Sequence, residues 1–174
     1  MLFRSLLPLA ALARQRGLEL RLIEFMDVGN RNGWTAEQVV PAREMLEQIG
    51  RLWPLEAQGR PRHGTASRWR YRDGGGWLGV VASVTQPFCG DCDRLRVSAD
   101  GKAFRCLFAA PEDGLDLRPW LRPEPNSDGL RRVLSQFWRQ RDDRYSEERQ
   151  RRLDETESTS ATRGSHAEMA YLGG

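Results

Sequence analysis

Long apolar runs are missing from this chain of 174 residues. None approaches the ~18 consecutive residues that a transmembrane helix needs, so a membrane partner is not expected. A strong charge of either sign is missing too: 27 basic residues stand against 24 acidic ones for a formal net charge of +3. The isoelectric point near 9.0 therefore reflects arginine usage more than a strong field, and a nucleic-acid surface is not indicated. Histidine is scarce, and the two present, His63 and His166, lie far along the chain from any cysteine with no ligand-like spacing. Cysteine is as scarce, with three in all. Three cannot all pair, and the lack of a disulfide framework suits a reducing compartment, the cytoplasm. At this length one modest domain is expected, burying roughly 70% of its unfolded surface.

What cysteine there is falls in one short run, F-C-G-D-C-D-R-L-R-V-S-A-D-G-K-A-F-R-C-L-F, at Cys89, Cys92 and Cys106. A C-x2-C step lets one tight turn present two thiolates to a single centre, and Cys106 returns a third. Tetrahedral zinc wants four protein ligands. Three sulfurs suit a 4Fe–4S cluster with one iron left open. The alternative is a zinc-binding structural or interaction module in which a distant histidine, Asp91 or Asp93 completes the shell.

Ser98 to Lys102 reads as a three-residue hairpin loop with Gly101 at its left-handed position. Ser98 then faces Lys102, Arg96 faces Phe104 and Arg94 faces Cys106, and the period of two puts Arg94, Arg96 and Cys106 on one face. Three thiolates on a 4Fe–4S core leave a net charge of about −1. Two guanidiniums exceed that need, and the surplus points to an anionic ligand.

Elsewhere the pattern gives a helix over about 3 to 16 and a strand at 18 to 25. In that strand Leu20, Leu22 and Glu24 alternate with Arg21, Ile23 and Phe25, and Met26 follows. The apolar N-terminus imitates a secretory signal, but its basic end followed by Gly17 fits better the last turn of a helix. Residues 27 to 34 are a glycine- and asparagine-rich crossing. Pro41 suits the first turn of a short helix with Met45, Leu46 and Ile49 on one face. Residues 66 to 72 and 77 to 85 form a hairpin around D-G-G-G, which reads as a plain turn: no helix follows it and no Gly-Lys-Ser/Thr completes a phosphate loop. Residues 115 to 120 read as a linking segment. A helix over about 128 to 141 carries Leu130, Val133, Leu134, Phe137 and Trp138 at core spacing. The stretch 150 to 168 lacks anchors.

Taken together, the cysteine run, R-L-I-E-F-M-D-V-G-N-R-N-G-W at 21 to 34, W-R-Q-R-D-D-R-Y-S-E-E-R at 138 to 149 and the final Gly173 and Gly174 resemble the GTP 3′,8-cyclase family. These are the radical S-adenosylmethionine lyases that begin molybdenum cofactor synthesis. The resemblance implies an α/β fold: the last helix and strand of an incomplete TIM-like barrel over 1–34, an α+β cluster- and GTP-binding domain with β-hairpins over 35–149, and a mobile tail over 150–174. It implies that Cys89, Cys92 and Cys106 hold a 4Fe–4S cluster. Arg21, Arg94, Leu95 (through its backbone) and Arg96 would hold GTP, Met26 would touch S-adenosylmethionine, and Gly173 and Gly174 would thread to the active site.

The family's C-x3-C-x2-C motif, which holds a second 4Fe–4S cluster, has no counterpart here. The chain is thus expected to be a C-terminal half, from a truncated reading frame, a split gene or an excised piece, and inactive alone. The implied partners are GTP, the missing N-terminal half or a homodimer partner, and downstream a cyclic pyranopterin synthase. A degenerate, non-catalytic remnant is the remaining alternative.

Overall fold

The computed structural model describes residues 4–29, 33–149 and 166–172. Among these residues the fold is mixed α/β, with a four-stranded and a three-stranded sheet. Two compact units, rather than the one domain expected from length, divide the chain: Met1–Met26 with Trp34–Asp91, and Asp27–Gly33 with Cys92–Gly174. The division follows from two separate apolar clusters, one around Ile49, Tyr71 and Leu78, the other around Phe104 and Ala109. It falls within the stretch 35–149. Among the described residues no helix is long and apolar enough to cross a membrane.

In the first unit, α1 (Leu6–Gln15) and α2 (Ala42–Leu52) accompany strands β1 (Leu20–Ile23), β2 (Leu55–Gly59), β3 (Ser67–Tyr71) and β4 (Trp77–Val81), arranged β1-β4-β3-β2. The strand β1 runs parallel to β4, and the other neighbours are antiparallel. Gly17 closes α1 at φ +64°, where a left-handed residue is needed. In α2, Met45 and Ile49 are buried and Leu46 packs beside them, and Pro41 stands at the N-cap. The strand β2 has no counterpart in the sequence reading. Its L-E-A-Q-G lacks β-branched residues, and it is an edge strand held by pairing with β3.

Two long-range contacts fix this unit. Glu24 is 1% exposed. Its carboxylate accepts the Ala42 N–H at 2.7 Å, the Val84 and Thr85 N–H groups at 2.8 Å each, and the Thr85 hydroxyl at 2.6 Å. The second contact concerns the middle residue of the triple glycine. Arg14 reaches the β3–β4 turn, pairs with Asp73 at 3.2 and 2.6 Å, and lies 4.3 Å over Tyr71 and 5.0 Å over Trp53. A Cβ on Gly75 would stand 2.1 Å from Arg14 Nη1, so only glycine leaves room for the guanidinium.

In the second unit, β5 (Arg96–Val97), β6 (Lys102–Phe104) and β7 (Leu115–Asp116) form a sheet in that order. Residues 115 and 116 are therefore a strand, not part of a linker. Lys102 and Ala103 pair with them, an interaction two residues cannot advertise in sequence. The helix α3 (Ser127–Arg139) is capped by Asn126, whose side chain accepts the Gly129 N–H at 2.8 Å. Leu130, Val133, Leu134, Phe137 and Trp138 are only half-buried, so core packing does not account for the stripe in full.

Replacing Glu24 by Gln leaves an amide N–H₂ facing backbone donors. Glu24→Gln is expected to lower stability by about 3 kcal/mol or more, given the ~1.5–3 kcal/mol of each hydrogen bond to a charged group. Urea denaturation of the two proteins measures it.

Candidate functional site

The hairpin expected from turn chemistry is present. Ser98 N donates to Lys102 O at 2.9 Å, Gly101 N donates to Ser98 O at 3.0 Å, and Gly101 has φ +84°. Arg96 pairs with Phe104 and Val97 with Ala103, the register the sequence implied. The ladder begins at Arg96, so the expected pairing of Arg94 with Cys106 lies beyond it.

Around this hairpin the second unit gathers two sulfurs and three arginines. Arg94 Nη2 lies 3.2 Å from Cys92 Sγ, and the Phe108 backbone N–H lies 3.4 Å from Cys106 Sγ. Burial pushes the Arg96 guanidinium below its ordinary pKa. Cys92 and Cys106 oppose that shift, while the positive charges of Arg94 and Arg141 add to it. One half-buried cation therefore feels both sulfurs at once. Arg141 is a member of this group that sequence reasoning missed, although it stands inside the W-R-Q-R-D-D run.

The other expected site residues are placed as follows. Cys89 opens a 3₁₀ turn, Cys89–Asp91, in the first unit. Also in that unit, Arg21 is exposed, with Nε 3.2 Å from Glu19 Oε1, and Met26 is half-buried. Leu95, in the second unit, is 38% exposed. Gly173 and Gly174 lie outside the described residues. None of the three cysteines forms a disulfide, and all are half-buried. Among the described residues no three His, Cys, Asp or Glu side chains form a group that could hold a metal ion. The donor chemistry still fits an iron–sulfur centre: uncrosslinked thiols, N–H groups near two of the sulfurs, and cations beside them. For the zinc alternative, Asp91 is engaged by Arg60 at 2.6 Å. His166 is held between Phe108 O at 2.8 Å and Tyr145 OH at 3.2 Å.

Those last contacts also correct the reading of 150 to 168 as a stretch without anchors. Residues 150–165 lie outside the described ones, but His166 and Ala167 are anchored. The Ala167 N–H donates to Ala109 O at 2.9 Å. Tyr171 donates to Asp100 Oδ2 at 2.8 Å and sets its ring edge-on to Phe104, while Leu172 is buried. Tyr145 and Arg149 both bind Asp27, at 2.6 and 2.9 Å.

Hydrogen bonds from Ser98 and Tyr171 hold the Asp100 carboxyl below its usual 3.8. A depressed carboxyl stabilises the fold above its unfolded pKa, and that contribution is lost as pH falls through the folded value. Docking of residues 166–172 should therefore loosen only in acid below about pH 4. Tyr171→Phe should raise the Asp100 pKa part of the way, with Ser98 still bonded. Carboxyl-resolved NMR titration and amide exchange at residues 166–172 report both effects.

A family model described as Molybdenum Cofactor Synthesis C matches residues 18–147. A GTP 3′,8-cyclase of Parasynechococcus marenigrum is 60% identical over 172 residues, which is 98% of this chain and 45% of that protein. One from a Synechococcus strain is 56% identical over 170 residues, 98% and 47% of the two chains. One from Acidothermus cellulolyticus is 45% identical over 185 residues, 95% and 50%. The chain spans about half the length of the curated relatives it matches.

Proposed function

The chain belongs to the Molybdenum Cofactor Synthesis C family, and from that premise we propose that it is the C-terminal, substrate-holding half of a GTP 3′,8-cyclase. Such an enzyme converts GTP to 3′,8-cyclo-7,8-dihydro-GTP at the start of molybdenum cofactor synthesis. Residues 1–34 would complete its incomplete barrel, 35–149 would bind cluster and nucleotide, and 150–174 would return Gly173 and Gly174 to the site. One observation carries the reading: the Arg94 guanidinium lies 3.2 Å from Cys92 Sγ, with the half-buried Arg96 two residues on. The cation suited to a nucleotide thus adjoins a sulfur suited to a metal.

Cys89, Cys92 and Cys106 would hold the cluster, which when bound supplies an iron with an open coordination position for a guanine nitrogen. The chain's own residues do the remaining work. The Arg94 guanidinium and the Phe108 N–H stand by two of the sulfurs and temper their charge. Arg94, Arg96 and the Leu95 backbone orient the nucleotide. Arg21 supplies a further cation for it, and Met26 contacts S-adenosylmethionine.

Anaerobic reconstitution should give a brown protein with roughly four irons per chain, and serine at any of the three cysteines should bleach it. A colourless product with one tightly held zinc would sink the reading. In the chain joined to its N-terminal half, Arg94→Ala or Arg96→Ala should each weaken GTP binding by about 1.5–3 kcal/mol, roughly ten- to a hundredfold, while the brown colour survives. Loss of iron in both variants would assign the arginines to the cluster instead.

A further inference from the structure

Between β2 and β3 the chain turns through residues 60–64 and rests against the turn that opens at Cys89. The Gly64 N–H donates to Pro61 O at 2.9 Å, closing a four-residue turn whose third residue, His63, has φ +61°. That position with positive φ favours glycine or asparagine, and histidine is among the residues that adopt it. Its ring reaches a particular place: Nδ1 lies 3.2 Å from the backbone oxygen of Asp91, and a carbonyl can only accept. From the same loop, Arg60 donates through Nη1 to Gly64 O at 2.9 Å and through Nη2 to Asp91 Oδ2 at 2.6 Å. Its guanidinium also stands 5.3 Å from the Phe88 ring centroid.

These contacts converge on four consecutive residues. Phe88 precedes Cys89, Asp91 follows it by two, and the Asp91 N–H donates to Phe88 O at 3.2 Å inside the turn. The loop therefore grips the turn on both sides of the thiol, at an aromatic ring, a carboxylate and a carbonyl. A loop needed only to join β2 to β3 gains nothing from a histidine side chain, since glycine makes the turn at no steric cost.

We propose that Arg60 and His63 are positioning residues for Cys89: they set the conformation of residues 88–91, and with it the direction in which the thiolate is presented, before any metal binds. The metal part of this inference rests on the reading of Cys89 as a cluster ligand.

The test is the alkylation rate of each thiol in the reduced, metal-free full chain, followed by mass spectrometry. In Arg60→Ala and in His63→Gly, Cys89 should react about three- to tenfold faster as the turn opens locally, while Cys92 and Cys106 keep their rates. His63→Gly separates the roles, because glycine makes the turn at no steric cost: a role in folding alone predicts unchanged Cys89 labelling and an equal or higher melting temperature. After reconstitution, the single variants should lose iron to a chelator faster than wild type. Unchanged Cys89 labelling in both variants, or acceleration of all three thiols together, overturns the proposal. A chain that takes up no iron but shows the selective change at Cys89 removes the cluster reading and leaves the positioning role standing.

Discussion

The first unit depends on one buried carboxylate. Glu24 sits where β1 ends, α2 begins and the chain leaves β4, and its two oxygens receive donors from Ala42, Val84 and Thr85. A buried charge costs several kcal/mol unless its lone pairs are met. Here four donors meet them, one of them at the first turn of α2, where the helix dipole favours a negative charge. The gain is geometric as much as energetic. Two chain segments far apart in sequence must bring their N–H groups to a carboxylate on a third, which fixes the β1–β4 pairing and the start of α2 together.

In the second unit the corresponding constraint concerns charge around sulfur. Cys92 and Cys106 are half-buried, and each has an N–H group beside it. Arg96 is drawn into the same surroundings at a cost in solvation that lowers its pKa. Cations crowded together repel one another, and Arg94 and Arg141 both act on Arg96 in that sense. Negative charge supplied nearby, as by an anionic ligand, would ease that crowding.

Much of this was legible where the cause is local. Gly101 and the serine at position 98 announce the hairpin and its register, because turn chemistry acts over four or five residues. Gly17 and the arginines before it announce the end of α1. Glu24 was visible as an anomaly, a carboxylate in phase with Leu20 and Leu22, but its donors were not, since they come from residues 42, 84 and 85. Arg14 and Gly75 could not be joined from sequence for the same reason. The strands β2 and β7 escaped notice because pairing partners create them, not their own composition. Asp27 read as part of a loop, yet Tyr145 and Arg149 bring it into the second unit. The site was legible in its residue types, and the grip of Arg60 and His63 on Asp91 was not, because it joins a loop to a turn across two strands.

The two units differ in when they can fold as the chain is made. The first unit draws only on residues up to Asp91. The second must wait: Asp27 finds Tyr145 and Arg149 at separations of 118 and 122 residues, and the cluster around Phe104 is completed by Ala167 and Leu172. Contacts that span so much chain form late, because loop closure must precede any gain from packing. During synthesis, then, Cys92 and Cys106 emerge into solvent well before the residues that complete their surroundings. For that interval their protection from oxidation falls to the compartment rather than to the fold.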